Sequence, residues 1–113
     1  MPAPQENEQM TTPELLAKIK SALQAAYGPR LKGVILYGSR ARGDAQPDSD
    51  WDVMVLLEGP IQLLKDIETC TEAVYDLILE TGFVIEAMPV DAKAYEAQEF
   101  LVYRLAKREG IVA

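Results

Sequence analysis

The chain has 113 residues, 49% of them hydrophobic, enough for one modest core and too few for a second full domain. It carries 18 acidic residues against 11 basic ones, a net charge of −7, so its mean field repels polyanions and argues against long nucleic acid as a partner. It contains no histidine, which excludes Ser-His, Cys-His and His-zinc chemistry and leaves carboxylates, hydroxyls, basic side chains and backbone amides to do any catalysis.

Met1 to Met10 (MPAPQENEQM) is polar and lacks apolar periodicity, so a disordered tail over 1–10 and a single folded domain over 11–113 are expected. Neither a basic, apolar leader nor an apolar run of roughly 18 residues is present, which reads as a soluble, cytoplasmic protein with no membrane partner. Thr11-Thr12-Pro13-Glu14 supplies a cap, a first-turn proline and an early glutamate. Leu15, Leu16, Ile19, Leu23 and Ala26 then recur at helical spacing until Gly28-Pro29.

Leu31 to Tyr37 (LKGVILY) reads as a buried strand ending at Gly38-Ser39. Arg40 to Ser49 is polar, with room for a helical turn and a loop, and Trp51 to Leu57 (WDVMVLL) is a second strand. Ile61 to Glu80 places Leu63, Leu64, Ile67, Val74, Leu77 and Ile78 on a long amphipathic helix closed by Gly82. The lone cysteine, Cys70, fits there as a small packed thiol. Phe83 to Val90 is a third strand, with Pro89 favouring an edge. From Asp91, a plausible N-cap, one helix with Tyr95, Phe100, Leu101 and Leu105 as its stripe runs to Gly110, leaving Ile111-Val112 as a tail. The expected fold is α/β (α+β): a small mixed sheet of about three strands, with helices over one face and the other partly open or paired.

The chemistry concentrates in LYGSRARGDAQPDSDWDVMVLL. In Asp50-Trp51-Asp52 the two carboxylates lie two apart on an extended segment and project to one side, a pattern suited to a hard divalent cation such as magnesium and to triphosphate oxygens. Trp51 then points the other way, into packing. Gly38 lets the backbone approach an anion closely, and Ser39 offers a hydroxyl and an amide at the start of a helical turn, which together read as a phosphate cradle. Arg40 and Arg42 are candidates to neutralise the triphosphate; exposed guanidinium that aids solubility is the alternative.

This segment resembles the signature of the DNA polymerase beta superfamily of nucleotidyltransferases. The compactness of the chain is similar to the minimal nucleotidyltransferases found as antitoxins beside HEPN-domain toxins. The resemblance implies a polymerase-beta-like fold in which Gly38 and Ser39 bind the β- and γ-phosphates of ATP or another nucleoside triphosphate. It implies that Asp50 and Asp52 coordinate Mg2+, and that a third carboxylate from a later strand completes the catalytic and metal site. Glu86, the one acidic residue inside the third strand, is the candidate, with a solvent-facing place on an edge strand as its alternative; Asp91 is a lesser candidate. The implied reaction is transfer of AMP from ATP to a hydroxyl, on a partner protein such as a HEPN toxin. A module that neutralises its partner by contact, and a small-molecule adenylyltransferase with a pocket completed by a second domain or dimer, are the other readings.

Overall fold

The computed structural model describes residues 10–113. The elements in chain order are α1 (Thr12–Tyr27), a 3-10 turn (Gly28–Arg30), β1 (Leu31–Tyr37), α2 (Ser39–Arg42), β2 (Trp51–Leu57), α3 (Leu63–Thr81), β3 (Ile85–Asp91), α4 (Ala92–Glu96), α5 (Leu101–Glu109) and β4 (Ile111–Val112). Their mixture of helices and sheet is the α/β class expected from the sequence.

Thr11 caps α1 in a full capping box: its hydroxyl accepts from the Glu14 amide, while the Glu14 carboxylate accepts from the Thr11 amide. Met10, placed by the sequence in the tail, packs against the core; the rest of the expected tail, 1–9, lies outside the described residues.

The sheet runs β3-β2-β1-β4, with β2 and β3 parallel and the other pairs antiparallel. Ile111 and Val112, expected to be a tail, instead form β4 by pairing with Leu36 and Ile35 on the free side of β1. Pro89 sits in β3 at a sheet edge, where its missing amide costs no ladder bond on the outer side.

Strand alternation divides the apolar residues between two faces. On one, Val34, Leu36, Trp51, Val53, Val55, Leu57 and Ile85 pack with Leu15, Leu16, Ile19 and Leu23 of α1 and with Cys70, Val74 and Leu77 of α3. On the other, a smaller cluster joins Ile35, Met54, Leu56 and Val90 to Tyr95 of α4 and Ala106 of α5. Helices thus cover one face fully and the other in part. The uncovered end of that second face carries the residues of interest.

Two expected apolar stripes differ from the structure. In α3 the buried face is Asp66, Cys70, Val74 and Leu77, which leaves Leu63, Leu64 and Ile67 exposed. The stripe is rotated because Asp66 is held inside by Arg30, whose Nη1 and Nη2 donate to its two oxygens at 2.9 and 3.1 Å. The expected helix from Asp91 to Gly110 is broken in two, with Gln98 at φ 54° between the halves. Phe100 and Leu101 are consequently exposed, and Tyr95 and Ala106 are the buried anchors.

Candidate active site

The parallel register of β2 and β3 sets Asp52 beside Glu86, and the antiparallel register of β1 and β2 sets Tyr37 on the other side of Asp52. Register partners project to the same side of a sheet, so Tyr37, Asp52 and Glu86 form one row across three strands. They lie on the second face, beyond the cover of α4 and α5. Asp50 is two residues before Asp52 and reaches the same side. Carboxylate oxygens of Asp50, Asp52 and Glu86 all lie within 4.8 Å of one another. The structure therefore brings together the two aspartates of the Asp-x-Asp motif and the glutamate that the sequence offered as third carboxylate. Asp91, the lesser candidate, is used elsewhere: its Oδ1 accepts from the Lys93 and Ala94 amides as the cap of α4.

Electrostatics make this arrangement costly without a cation. Burial, then the carboxylates of Glu86 and Asp50, push the Asp52 pKa above its ordinary value. The same row raises the Tyr37 hydroxyl, first through burial and then through Asp52 and Glu86. Among the described residues no ion pair or side-chain hydrogen bond involves Asp50, Asp52 or Glu86. Three clustered oxygen donors without a protein cation fit a hard divalent metal such as Mg2+, which prefers carboxylates and keeps positions for phosphate or water.

Gly38 joins this row to the turn that follows β1. Its backbone has φ 79° and ψ −158°, a region that only glycine enters without strain, and a Cβ there would stand 2.6 Å from Oδ2 of Asp52. The positive φ favours glycine, and any side chain there would displace the Asp52 carboxylate. Ser39 then opens α2, where the amides of Ser39 and Arg40 precede any carbonyl of the turn able to accept them. Free first-turn amides therefore lie next to the carboxylate row, an arrangement that can hold phosphate oxygens.

The two arginines of the motif are engaged away from the carboxylates. Arg40 donates from Nη2 to the carbonyls of Pro47 and Ser49, at 3.0 and 2.9 Å, and from Nε to Ser49 at 3.3 Å. Its guanidinium lies 4.5 Å from the centre of the Trp51 ring. Trp51 is buried, as its place between two outward carboxylates predicts, and packs against Phe83 with ring centres 5.4 Å apart. Arg42 pairs with Asp44 at 3.2 Å and with Glu109 at 4.0 Å.

Beside Glu86 a groove of about 450 Å³ is lined by Tyr37, Leu63, Ile67, Met88 and Tyr103 among others. Sequence reasoning missed both Tyr37 and the groove. The signal for Tyr37 was available: it shares the parity of Ile35 at the end of a strand that leads directly to Gly38.

The chain matches the family model of the nucleotidyltransferase domain over residues 16–107. It belongs to that family. The match takes in every residue of the carboxylate row and of the Gly38 turn. A Methanocaldococcus jannaschii protein, provisionally named a protein adenylyltransferase, is 34% identical over 79 residues, covering 70% of this chain and 73% of the relative. Among solved structures, one titled as a toxin-antitoxin with AMP-PNP superposes with a TM-score of 0.63 at 18% identity, over 86% of this chain and 70% of that one. A provisionally named nucleotidyltransferase of Sulfolobus solfataricus gives 0.53 at 20% identity, over 88% and 78%. These two likenesses establish the nucleotidyltransferase fold.

Proposed function

We propose that the protein is a Mg2+-dependent adenylyltransferase that moves AMP from ATP to a hydroxyl on a partner protein. The observation that carries the proposal is the convergence of Asp50, Asp52 and Glu86 within 4.8 Å, beside a glycine whose positive φ disfavours any side chain. In this reading Asp50, Asp52 and Glu86 hold the metal. Bound Mg2+ supplies charge neutralisation to the triphosphate oxygens. The Ser39 and Arg40 amides and the Ser39 hydroxyl hold the β- and γ-phosphates against the Gly38 turn. Glu86, at the mouth of the groove, accepts the proton of the acceptor hydroxyl as its oxygen bonds to the α-phosphorus and pyrophosphate leaves. Positioning and charge neutralisation account for most of the rate.

What adjoins Glu86 supports a protein acceptor. The groove is largely apolar and opens toward exposed Leu63, Ile67 and Met88, a surface that suits a polypeptide side chain better than a polyanion. The M. jannaschii relative is named for transfer to protein, and one structural neighbour comes from a toxin-antitoxin pair. A toxin of the HEPN class is the partner that best fits this reading, with the protein acting in the cytoplasm. Incubation with ATP labelled at the α-phosphorus, Mg2+ and the protein encoded beside it should label that protein, and Asp52→Ala or Glu86→Gln should prevent labelling. Neutralisation of the partner that survives Asp50→Ala and Asp52→Ala together would overturn the proposal in favour of contact alone.

A further inference from the structure

Arg40 lies in the motif at a place where a phosphate ligand is expected, yet its donors point the other way. Nε and Nη2 together make three hydrogen bonds to the carbonyls of Pro47 and Ser49, and the planar group lies over the Trp51–Phe83 pair, 4.5 and 5.6 Å from their ring centres. The Ser49 carbonyl belongs to the peptide unit whose nitrogen is that of Asp50. From Gly43 to Asp50 the chain has no helix or strand to fix it. At its start the Gly43 and Asp44 amides donate to the Ser39 carbonyl and Arg42 pairs with Asp44; further along, the Gln46 amide donates to the Ser49 hydroxyl and the Ser49 amide to the Gln46 carbonyl. At its Asp50 end, Arg40 connects this loop to the buried Trp51 ring and to the turn that begins at Gly38.

We infer that the Arg40 side chain has a positioning role: it fixes the backbone that presents Asp50, and so sets metal affinity without the guanidinium touching metal or nucleotide. This inference rests on the proposed metal site. Its chemistry needs arginine specifically. A flat guanidinium can stack on an indole while its edge donates to two carbonyls, whereas an ammonium on a flexible stem keeps the charge and loses both the stack and the fork. A phosphate ligand would respond in the opposite way, because lysine retains most of the attraction to a phosphate.

Mn2+ binding to the full chain without nucleotide, followed by electron paramagnetic resonance, separates the two roles. Asp52→Asn provides the baseline for adventitious binding. Groups that orient metal ligands typically change metal affinity about 10- to 100-fold when removed, and that loss is expected for both Arg40→Ala and Arg40→Lys. Thermal melts by circular dichroism check that each variant is folded; if Arg40→Ala is not, Arg40→Lys carries the test alone. Wild-type Mn2+ affinity in Arg40→Lys would overturn the inference and return Arg40 to the phosphates. A wild-type chain whose Mn2+ binding is no stronger than that of Asp52→Asn would overturn the metal site and the positioning role together.

Discussion

Asp66 and Asp52 are both withdrawn from water, and the protein treats them in opposite ways. Asp66 is 3% exposed and fully partnered: Arg30 donates two hydrogen bonds, the Gln62 amide one at 2.9 Å and the Tyr27 hydroxyl one at 3.0 Å. Burial alone would raise its pKa, but the bonds from Arg30, the Gln62 amide and Tyr27 outweigh it and leave the group below its ordinary value. Asp52 has only Glu86 and Asp50 for charged company, and all influences on it act upward. A carboxylate whose partners are complete braces the fold. One packed against like charges holds repulsion that a bound cation would relieve, so its cost to stability and its proposed use in chemistry have the same origin.

Breaking each site in turn should separate these roles. Asp52→Ala has the largest expected effect: on the proposed mechanism, loss of this carboxylate should lower nucleotidyl transfer by about 10³-fold or more, measured as label incorporation, with little loss of stability. Arg30→Met should do the reverse. It leaves Asp66 buried without its cation and should cost about 3 kcal/mol in urea unfolding, while metal affinity per folded molecule is unchanged. Gly38→Ala touches both properties. The backbone strain should cost about 1–3 kcal/mol, and contact of the new methyl with Asp52 should weaken Mg2+-ATP binding in calorimetry.

The smallest effect is in pH dependence, where the two carboxylates have opposite signs. Asp66 has a lowered folded pKa, so its contribution is present above the ordinary carboxylate value of 3.8 and is lost as pH falls through the lower folded value. Asp52 has a raised folded pKa, so the metal-free protein should lose stability as pH rises from 3.8 through its higher folded value. Saturating Mg2+ should abolish the Asp52 component and leave that of Asp66. Melts across this range, with chelator and with Mg2+, read both.

The aspartate pair and the Gly38 turn were legible because they are local. Alternation alone puts Asp50 and Asp52 on one side of a strand, and a glycine between strand and helical turn marks a close approach. Glu86 was legible only as a candidate, since its place next to Asp52 depends on the parallel register of two strands separated by a whole helix. The α3 stripe misled for a related reason: Asp66 occupies a core position, and the arginine that makes this possible lies 36 residues earlier. Nothing local announced the break after Glu96, where Gln98 takes positive φ without a glycine or proline nearby. β4 was invisible because two residues make a strand only when a neighbour offers an open edge. Arg40 was offered by the motif as a phosphate ligand, but the direction of its side chain is set by Trp51 and Ser49, which the fold brings to it.

The central claim, that Asp50, Asp52 and Glu86 converge to hold a divalent cation, is tested most directly by thermal melts of wild type and Asp52→Asn, each with chelator and with Mg2+-ATP. With chelator, Asp52→Asn should melt higher than wild type near neutral pH, because a like charge has been removed; with Mg2+-ATP, wild type alone should gain stability. An Asp52→Asn variant that melts lower in chelator, or that keeps the full Mg2+-ATP shift, would contradict the account.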